Sequence, residues 1–383
     1  MTNIKNPFVT KGYAGAAYFC DREKETQLLT SLLMNGNSIA LMSPRRMGKT
    51  GLILHCFNQP TIKQSHYTFL VDIYSTKSLK EFVYEMGKAV LDTLKPHGKK
   101  ALDLFLSFVT SLRAGVTYDQ WGSASWGLEL GDINTPQATL DEIFHYLNAA
   151  DKPCIVAIDE FQAITKYPEQ NIEAVLRTYI QHCNNASFIF AGSQRTMMGQ
   201  MFSSPARPFY QSVVSQTIDV ISIDKYVAFI QHHFNLAERH ITDETIHEFY
   251  KMFDGVTWYV QQMANLLFML TPKGETCTAE TIPAAIDILL NSNETTYNTL
   301  LFQLNEKPKQ LLTALCKEGT GRQLTSAAFV KHHRLNSASS VQSSLKVLLE
   351  KELVTQEGDA YSPYDKLFAL WMNRRNSTQH VIG

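Results

Sequence analysis

"SPRRMGKTGL", residues 43–52, decides how the rest of the chain is read. Its Gly-Lys-Thr ending is that of a loop that wraps phosphate, with backbone N–H groups facing inward at a helix N-terminus. Its first position is Ser43, where the common pattern G-x-x-x-x-G-K-[ST] has glycine. In such a loop Lys49 reaches the β- and γ-phosphates of ATP and Thr50 offers its hydroxyl to Mg2+. Gly48 lets the backbone close around the ligand. Arg45 and Arg46 raise the local positive potential, and Ser43, Pro44, Met47 and Gly51 complete the cradle. The bland alternative is a helix that starts at a capping threonine and binds nothing. The flanks decide between the two. "SIALM" (38–42) is a short buried-strand run, and "TGLILHCF" (50–57) carries apolar residues at helical spacing. Strand, loop, helix is the order that a phosphate site needs.

Two further elements have the same strand-then-polar form. "CIVAIDEFQ" (154–162) is an apolar run ending in Asp159 and Glu160. A carboxylate at the tip of a buried strand suits Mg2+ held through water, which is the role of Asp159, while Glu160 is placed to polarise an attacking water. Each alone is also an ordinary strand-end cap. "FIFAGSQRTM" (188–197) sets Ser193 just past another buried run, to sense the γ-phosphate or orient the water, or simply to turn the chain. "YTFLVDIY" (67–74) and "TIDVISI" (217–223) are two more strand candidates. Strands alternating with helices such as "SLKEFVYEMGKAVLDTL" (78–94) predict an α/β fold with a parallel sheet. Residues 105–132, rich in Gly, Ser and Trp, break this rhythm and read as a β-hairpin insertion packed by Trp121 and Trp126.

Composition bounds the remaining classes. The 383 residues are 44% hydrophobic and 19% charged, which suits a folded protein of two or three domains. With 35 Lys plus Arg against 36 Asp plus Glu, no global field draws the chain to nucleic acid or a membrane, so any such binding needs a local patch. Six cysteines without a CxxC pair read as reduced cytosolic thiols and argue against both a zinc site and a disulfide framework. The first residues lack an apolar signal core and no apolar run spans a bilayer, so the expected location is cytoplasmic.

After residue 224 three amphipathic helices follow, in "DKYVAFIQHHFNLA", "DETIHEFYKMFDG" and "TWYVQQMANLLFML". The tail has its own pattern. "KQLLTALCKEG", "TSAAFVKHHRL" and "SASSVQSSLKVLLEKELV" predict three helices, and "VTQEGDAYS" a short hairpin turning at Gly358 and Asp359. Three helices and a hairpin make a winged helix-turn-helix. Its third helix would offer Ser339, Gln342, Ser343 and Lys346 to duplex DNA, and Lys331, His332, His333 and Arg334 could meet phosphates. The alternative use of such a module is a protein contact.

Taken in order, "YFCDREKE", "SPRRMGKT", "VAIDEFQ", "AGSQRTMMGQMF" and "PFYQS" resemble the archaeal and bacterial P-loop ATPases related to AAA+ and STAND proteins. The resemblance implies an ATPase core over 1–222, a helical lid over 223–296 and a winged helix over 297–383. It implies that Arg22 and Glu23 lie near the adenine. It further implies an arginine supplied across a subunit interface, a role for which Arg207 is favoured and Arg195 is the rival. Related lids have a Gly-x-Pro beside the nucleotide, where this chain has Gly255 and Thr257 and no proline. The expected activity is slow ATP hydrolysis used as a conformational switch. The competing expectations are a DNA-binding regulator in which ATP serves assembly, and a nucleotide-binding scaffold without turnover.

Overall fold

A computed structural model describes residues 6–94, 99–110, 116–118, 124–126 and 133–381. The chain divides into two compact units, 1–233 with 254–265, and 234–253 with 266–383. The first unit is built on five parallel strands: β1 (Ile39–Met42), β2 (Tyr67–Asp72), β3 (Cys154–Asp159), β4 (Ala186–Gly192) and β5 (Val214–Thr217). They lie in the order β2-β3-β4-β1-β5. Register is set by pairs such as Tyr67 with Cys154, Val156 with Phe188, and Ile39 with both Ile189 and Val214.

The apolar runs form strands because both faces of the sheet are covered. Side chains alternate between faces, so Val156 and Ile158 enter one core cluster with Phe69, Val71, Phe188 and Phe190. Ile155 and Ala157 enter the other, with Ile39, Leu41, Ile189 and Ala191. Since every strand is parallel, all carboxyl ends share one edge. That edge is where α/β sheets bind ligands.

Below this edge sits an aromatic cluster. The Phe161 ring centroid is 4.6 Å from that of Phe190 and 5.4 Å from that of Phe209, and Phe202 is 5.4 Å from Phe190. Residues that flank Glu160 and Ser193 in sequence are thus anchored together.

The sequence reading needs three adjustments. β5 begins earlier than the expected 217–223. Its chain leaves the sheet after Ile218, whose N–H still reaches the Met42 carbonyl, because Asp219 turns its own carbonyl to Arg22. A helix, Lys99–Phe108, runs into the start of the expected insertion, ahead of an antiparallel pairing of Val116–Tyr118 with Ala124–Trp126. Trp121 lies outside the described residues. Finally, two short strands, His240–Ile241 and Thr276–Cys277, pair in parallel within a stretch expected to be all helical.

The second unit contains the helices Asp243–Met252 and Ile282–Phe302 and then a winged helix. Its helices are Glu306–Glu318, Ala327–His332 and Ala338–Glu350, and its hairpin pairs Val354–Glu357 with Ala360–Pro363 around the turn at Gly358. A two-residue strand, Gly321–Arg322, adds a third strand that periodicity cannot reveal in so short a piece. The closing helix Lys366–Val381 packs Phe368 and Trp371 on Tyr297 at 5.2 and 5.5 Å. All six cysteines are unbonded and buried, and burial pushes the thiols of Cys20, Cys56, Cys154 and Cys316 up to about 12, so they are inert as nucleophiles. Among the described residues no helix is long and apolar enough to cross a membrane.

Phe190 is fully buried and touches three of the cluster's rings. Phe190→Ala is expected to cost about 3–5 kcal/mol of stability, measured as the shift of a urea midpoint.

Candidate functional site

The loop after β1 folds as its sequence requires. Its left-handed positions are Arg46 (φ 69°) and Gly48 (φ 90°), while Ser43 is not among them. Glycine's conformational freedom is therefore needed at 48 and not at 43, which explains how serine is accommodated there. Gly48 is the N-cap of helix Lys49–Phe57 and supplies no side-chain cap. The first N–H groups of that helix have no intrahelical acceptor. An anion fits that arrangement, because Gly48 has no side chain to cap the helix in its place.

Lys49 is only 6% exposed, and its Nζ donates to the carbonyls of Ser43 at 2.9 Å and Pro44 at 3.2 Å. Desolvation pulls its pKa below the usual lysine range, against the attraction of Glu160 and Asp159. Thr50 Oγ1 donates to Asp159 Oδ2 at 2.5 Å, across 109 residues of sequence. Asp159 is itself buried, and desolvation raises its pKa in spite of that hydrogen bond. A hydroxyl and a carboxylate meeting in this way form an oxygen donor set of the kind that Mg2+ takes.

Glu160 has a left-handed backbone (φ 55°) that turns its side chain off the end of β3. Its Oε2 accepts from Ser193 Oγ at 2.6 Å and from Gln162 Nε2 at 2.5 Å, and Arg45 lies 3.9 Å from Oε1. Ser193 thus reaches the site through Glu160. Arg46 lies over Trp258 and Tyr259, 4.4 and 4.9 Å from their ring centroids, and hydrogen-bonds the Tyr259 hydroxyl. The Trp258 N–H donates to the Arg46 carbonyl at 3.0 Å, and Thr257 Oγ1 to the Met47 carbonyl at 3.3 Å.

A cavity of about 330 Å³ opens here, with Thr257 and Trp258 in its lining and Ser193, Gln162 and Tyr259 outside it. Of the expected site residues, Arg22, Arg45 to Gly51, Asp159 and Glu160 line it, with Ser43 and Pro44 bonded behind Lys49. Arg22 is buried, also left-handed (φ 75°), and is held by Glu25 Oε1 at 2.7 Å and the Asp219 carbonyl at 2.5 Å. Arg207 is not in the lining. It pairs with Glu173 at 3.2 Å, a carboxyl whose pKa burial raises and Arg207 opposes.

One wall went unread in the sequence. Val9, Thr10, residues 12–14 and residues 18–20 line one side of the cavity, with Phe19 stacked on His55 at 4.2 Å and the Tyr13 hydroxyl 2.8 Å from His55 Nδ1. The aromatic residues of "YAGAAYF" were the available signal. Gln162 was missed as well. It is 4% exposed, its Oε1 has no hydrogen-bond partner, and only its position two residues past Glu160 hinted at it.

Because the folded pKa of Asp159 is raised by desolvation, the folded state favours the protonated acid, and this carboxylate lowers stability as pH climbs from its unfolded pKa through its folded one. Asp159→Asn is therefore expected to raise the urea midpoint of ligand-free protein at pH 7, with the gain shrinking towards pH 4.

Residues 295–374 match the family model described as a probable winged helix domain. No curated protein sequence matches the chain. Among solved structures, a Walker-type ATPase of Pyrococcus abyssi is similar at 16% identity, covering 96% of this chain and 99% of that one, with a TM-score of 0.65. The ORC2 protein of Aeropyrum pernix in ADPNP–ADP complexes is similar at 12% identity over 98% of both chains, TM-score 0.57. The ORC1 protein of the same organism in complex with DNA gives 10% identity, 95% and 94% coverage and a TM-score of 0.50. The chain has the parallel-sheet fold of P-loop ATPases of the AAA+ type, followed by a C-terminal winged helix.

Proposed function

We propose that this protein binds ATP in the cavity above β1 and hydrolyses it slowly, as a switch. The observation that carries the reading is the hydrogen bond from Thr50 to Asp159, which joins the loop helix to the tip of β3 beside a buried Lys49. Lys49 neutralises phosphate charge, exchanging two backbone carbonyls for phosphate oxygens. The first N–H groups of helix Lys49–Phe57 orient the phosphates. Thr50 and Asp159 are the residues that would hold Mg2+, which supplies charge neutralisation on the phosphates when bound. Glu160 takes a proton from the attacking water, and Ser193 with Gln162 holds its carboxylate in position. Arg22 and the aromatic wall of residues 9–20 cover the nucleoside side. Arg207 serves in trans only after leaving Glu173. The working division is a core over 1–222, a lid over 223–296 and the winged helix over 297–383.

A second reading concerns the winged helix. Ser339, Gln342, Ser343 and Lys346 are all exposed on helix Ala338–Glu350, the face that a recognition helix presents to a major groove. Duplex DNA is the partner this favours, and affinity that falls steeply with added salt is its signature.

Lys49→Ala is expected to weaken ATP binding at least about 30-fold, equivalent to about 2 kcal/mol, without unfolding the protein, as read by calorimetric titration. Parent-like affinity in a folded variant removes the loop from the site.

Glu160→Gln is expected to keep ATP affinity and lower turnover about 100-fold or more, since an amide cannot accept the water's proton. Asp159→Ala should instead raise the Mg2+ concentration that half-saturates binding. Steady-state phosphate release across a Mg2+ series separates the two, and identical phenotypes would refute the division of roles.

A further inference from the structure

His332 and His333 close the short helix Ala327–His332. Its end is fixed by backbone. The Leu335 N–H reaches the Val330 carbonyl at 2.9 Å and the Arg334 N–H reaches that of Lys331 at 3.2 Å, with Arg334 left-handed (φ 53°). This closure sets the departure angles of the two imidazoles. His333 packs on Phe329, ring centroids 4.4 Å apart, and its side chain is only 7% exposed. Glu318 ends the preceding helix, Glu306–Glu318, and brings Oε1 to 3.0 Å from His333 Nε2 and 3.8 Å from His332 Nε2.

The contact to His333 is close but unsatisfied. Nε2 is sealed from water and makes no hydrogen bond, although the carboxylate oxygen is 3.0 Å away. The oxygen is near enough and out of line, so the pair does not form the directional bond. Leaving a buried polar nitrogen in that state costs free energy. Donor atoms that converge without bonding to one another are the arrangement of ligands around a common ion. In a tetrahedral Zn2+ site with metal–ligand bonds of about 2.0–2.2 Å, donor atoms lie roughly 3.3 Å apart. The two separations bracket that value, and the three ligand atoms all lie within 4.8 Å of one another.

We infer that Glu318, His332 and His333 form a site for Zn2+ or a chemically similar divalent transition-metal ion. Two imidazoles and a carboxylate suit such ions and not Mg2+ or Ca2+, which take oxygen. His332 and Glu318 are 74% and 41% exposed, which gives the ion an entry path and leaves a position for water. The bound ion clips the ends of the first two winged-helix helices together, just ahead of the turn into helix Ala338–Glu350. It turns the two histidines towards Glu318 and away from the phosphate contacts expected of them. This site stands independently of the nucleotide reading.

The test uses full-length, tag-free protein stripped with EDTA and free of nucleotide. ZnCl2 is titrated by equilibrium dialysis while the thermal midpoint is followed. Uptake of one Zn2+ per chain at low-micromolar concentration is expected, with a midpoint rise that saturates in parallel. His332→Ala and Glu318→Gln alter exposed side chains, and circular dichroism before metal addition checks that each folds as the parent does. Should one misfold, the other carries the comparison. Each is expected to weaken Zn2+ binding by more than the roughly 10-fold lost with an outer-shell partner. Co2+ added in place of Zn2+ should give a visible absorption band in the parent that both variants lack. No Zn2+ uptake by the parent, or uptake that both variants retain, overturns the assignment.

Discussion

Two opposite charges kept from water, the Lys49 ammonium and the Asp159 carboxylate, are the constraint around which the first unit is organised. Each is less than a tenth exposed, and desolvation shifts each towards its neutral form. Burying charge is costly unless partners replace water. Lys49 receives two backbone carbonyls and Asp159 receives Thr50 and the Glu160 N–H. Those partners are incomplete replacements, as the directions of the pKa shifts show. Stability has been given up at one edge of an otherwise apolar sheet.

The sheet order explains why these groups meet at all. β1 and β3 are not neighbours, since β4 lies between them. Parallel pairing brings the three carboxyl ends level, with Met42 beside Gly192 and Ile158 beside Phe190. Gly192 keeps that edge narrow, because a Cβ there would lie 2.5 Å from Met198 and 2.6 Å from Gln162 Oε1. Ser193 follows immediately and can therefore reach Glu160. The rings of Phe161, Phe190, Phe202 and Phe209 fix the level of this edge from below.

Much of this could be read from sequence where the signal was local. A continuous apolar run followed by a small or acidic residue marks a buried strand and its tip, and this located β1, β3 and β4 with the residues that matter on them. β5 was placed about three residues late because it is an edge strand whose residues are only half-buried on alternate positions, while the more apolar run after it leaves the sheet. Ser43 looked like a departure because the pattern is written with glycine. Only backbone angles show that the left-handed turns fall at 46 and 48. The aromatic wall of residues 9–20 and the stacking of Trp258 on Arg46 were illegible for a different reason. They depend on segments brought together from far apart in sequence, and no periodicity encodes that. Arg207 was chosen by resemblance, and its pairing with Glu173 is a contact between side chains with no sequence signature.

The loop and the helix Thr257–Leu270 are mechanically one piece at the cavity. Arg46 and Met47 use their carbonyls to hold the start of that helix, through the Trp258 N–H and the Thr257 hydroxyl. The Arg46 guanidinium adds its two ring contacts and the Tyr259 hydroxyl. Arg22, Arg46 and Glu160, all at the cavity, are non-glycine residues in left-handed conformations. Such conformations persist only where surrounding contacts over-determine them. The Lys49 ammonium is held by the Ser43 and Pro44 carbonyls, just ahead of the Arg46 and Met47 carbonyls that hold the helix. The contacts that hold Lys49 and those that hold the start of the helix are thus made by neighbouring peptides of one short backbone segment.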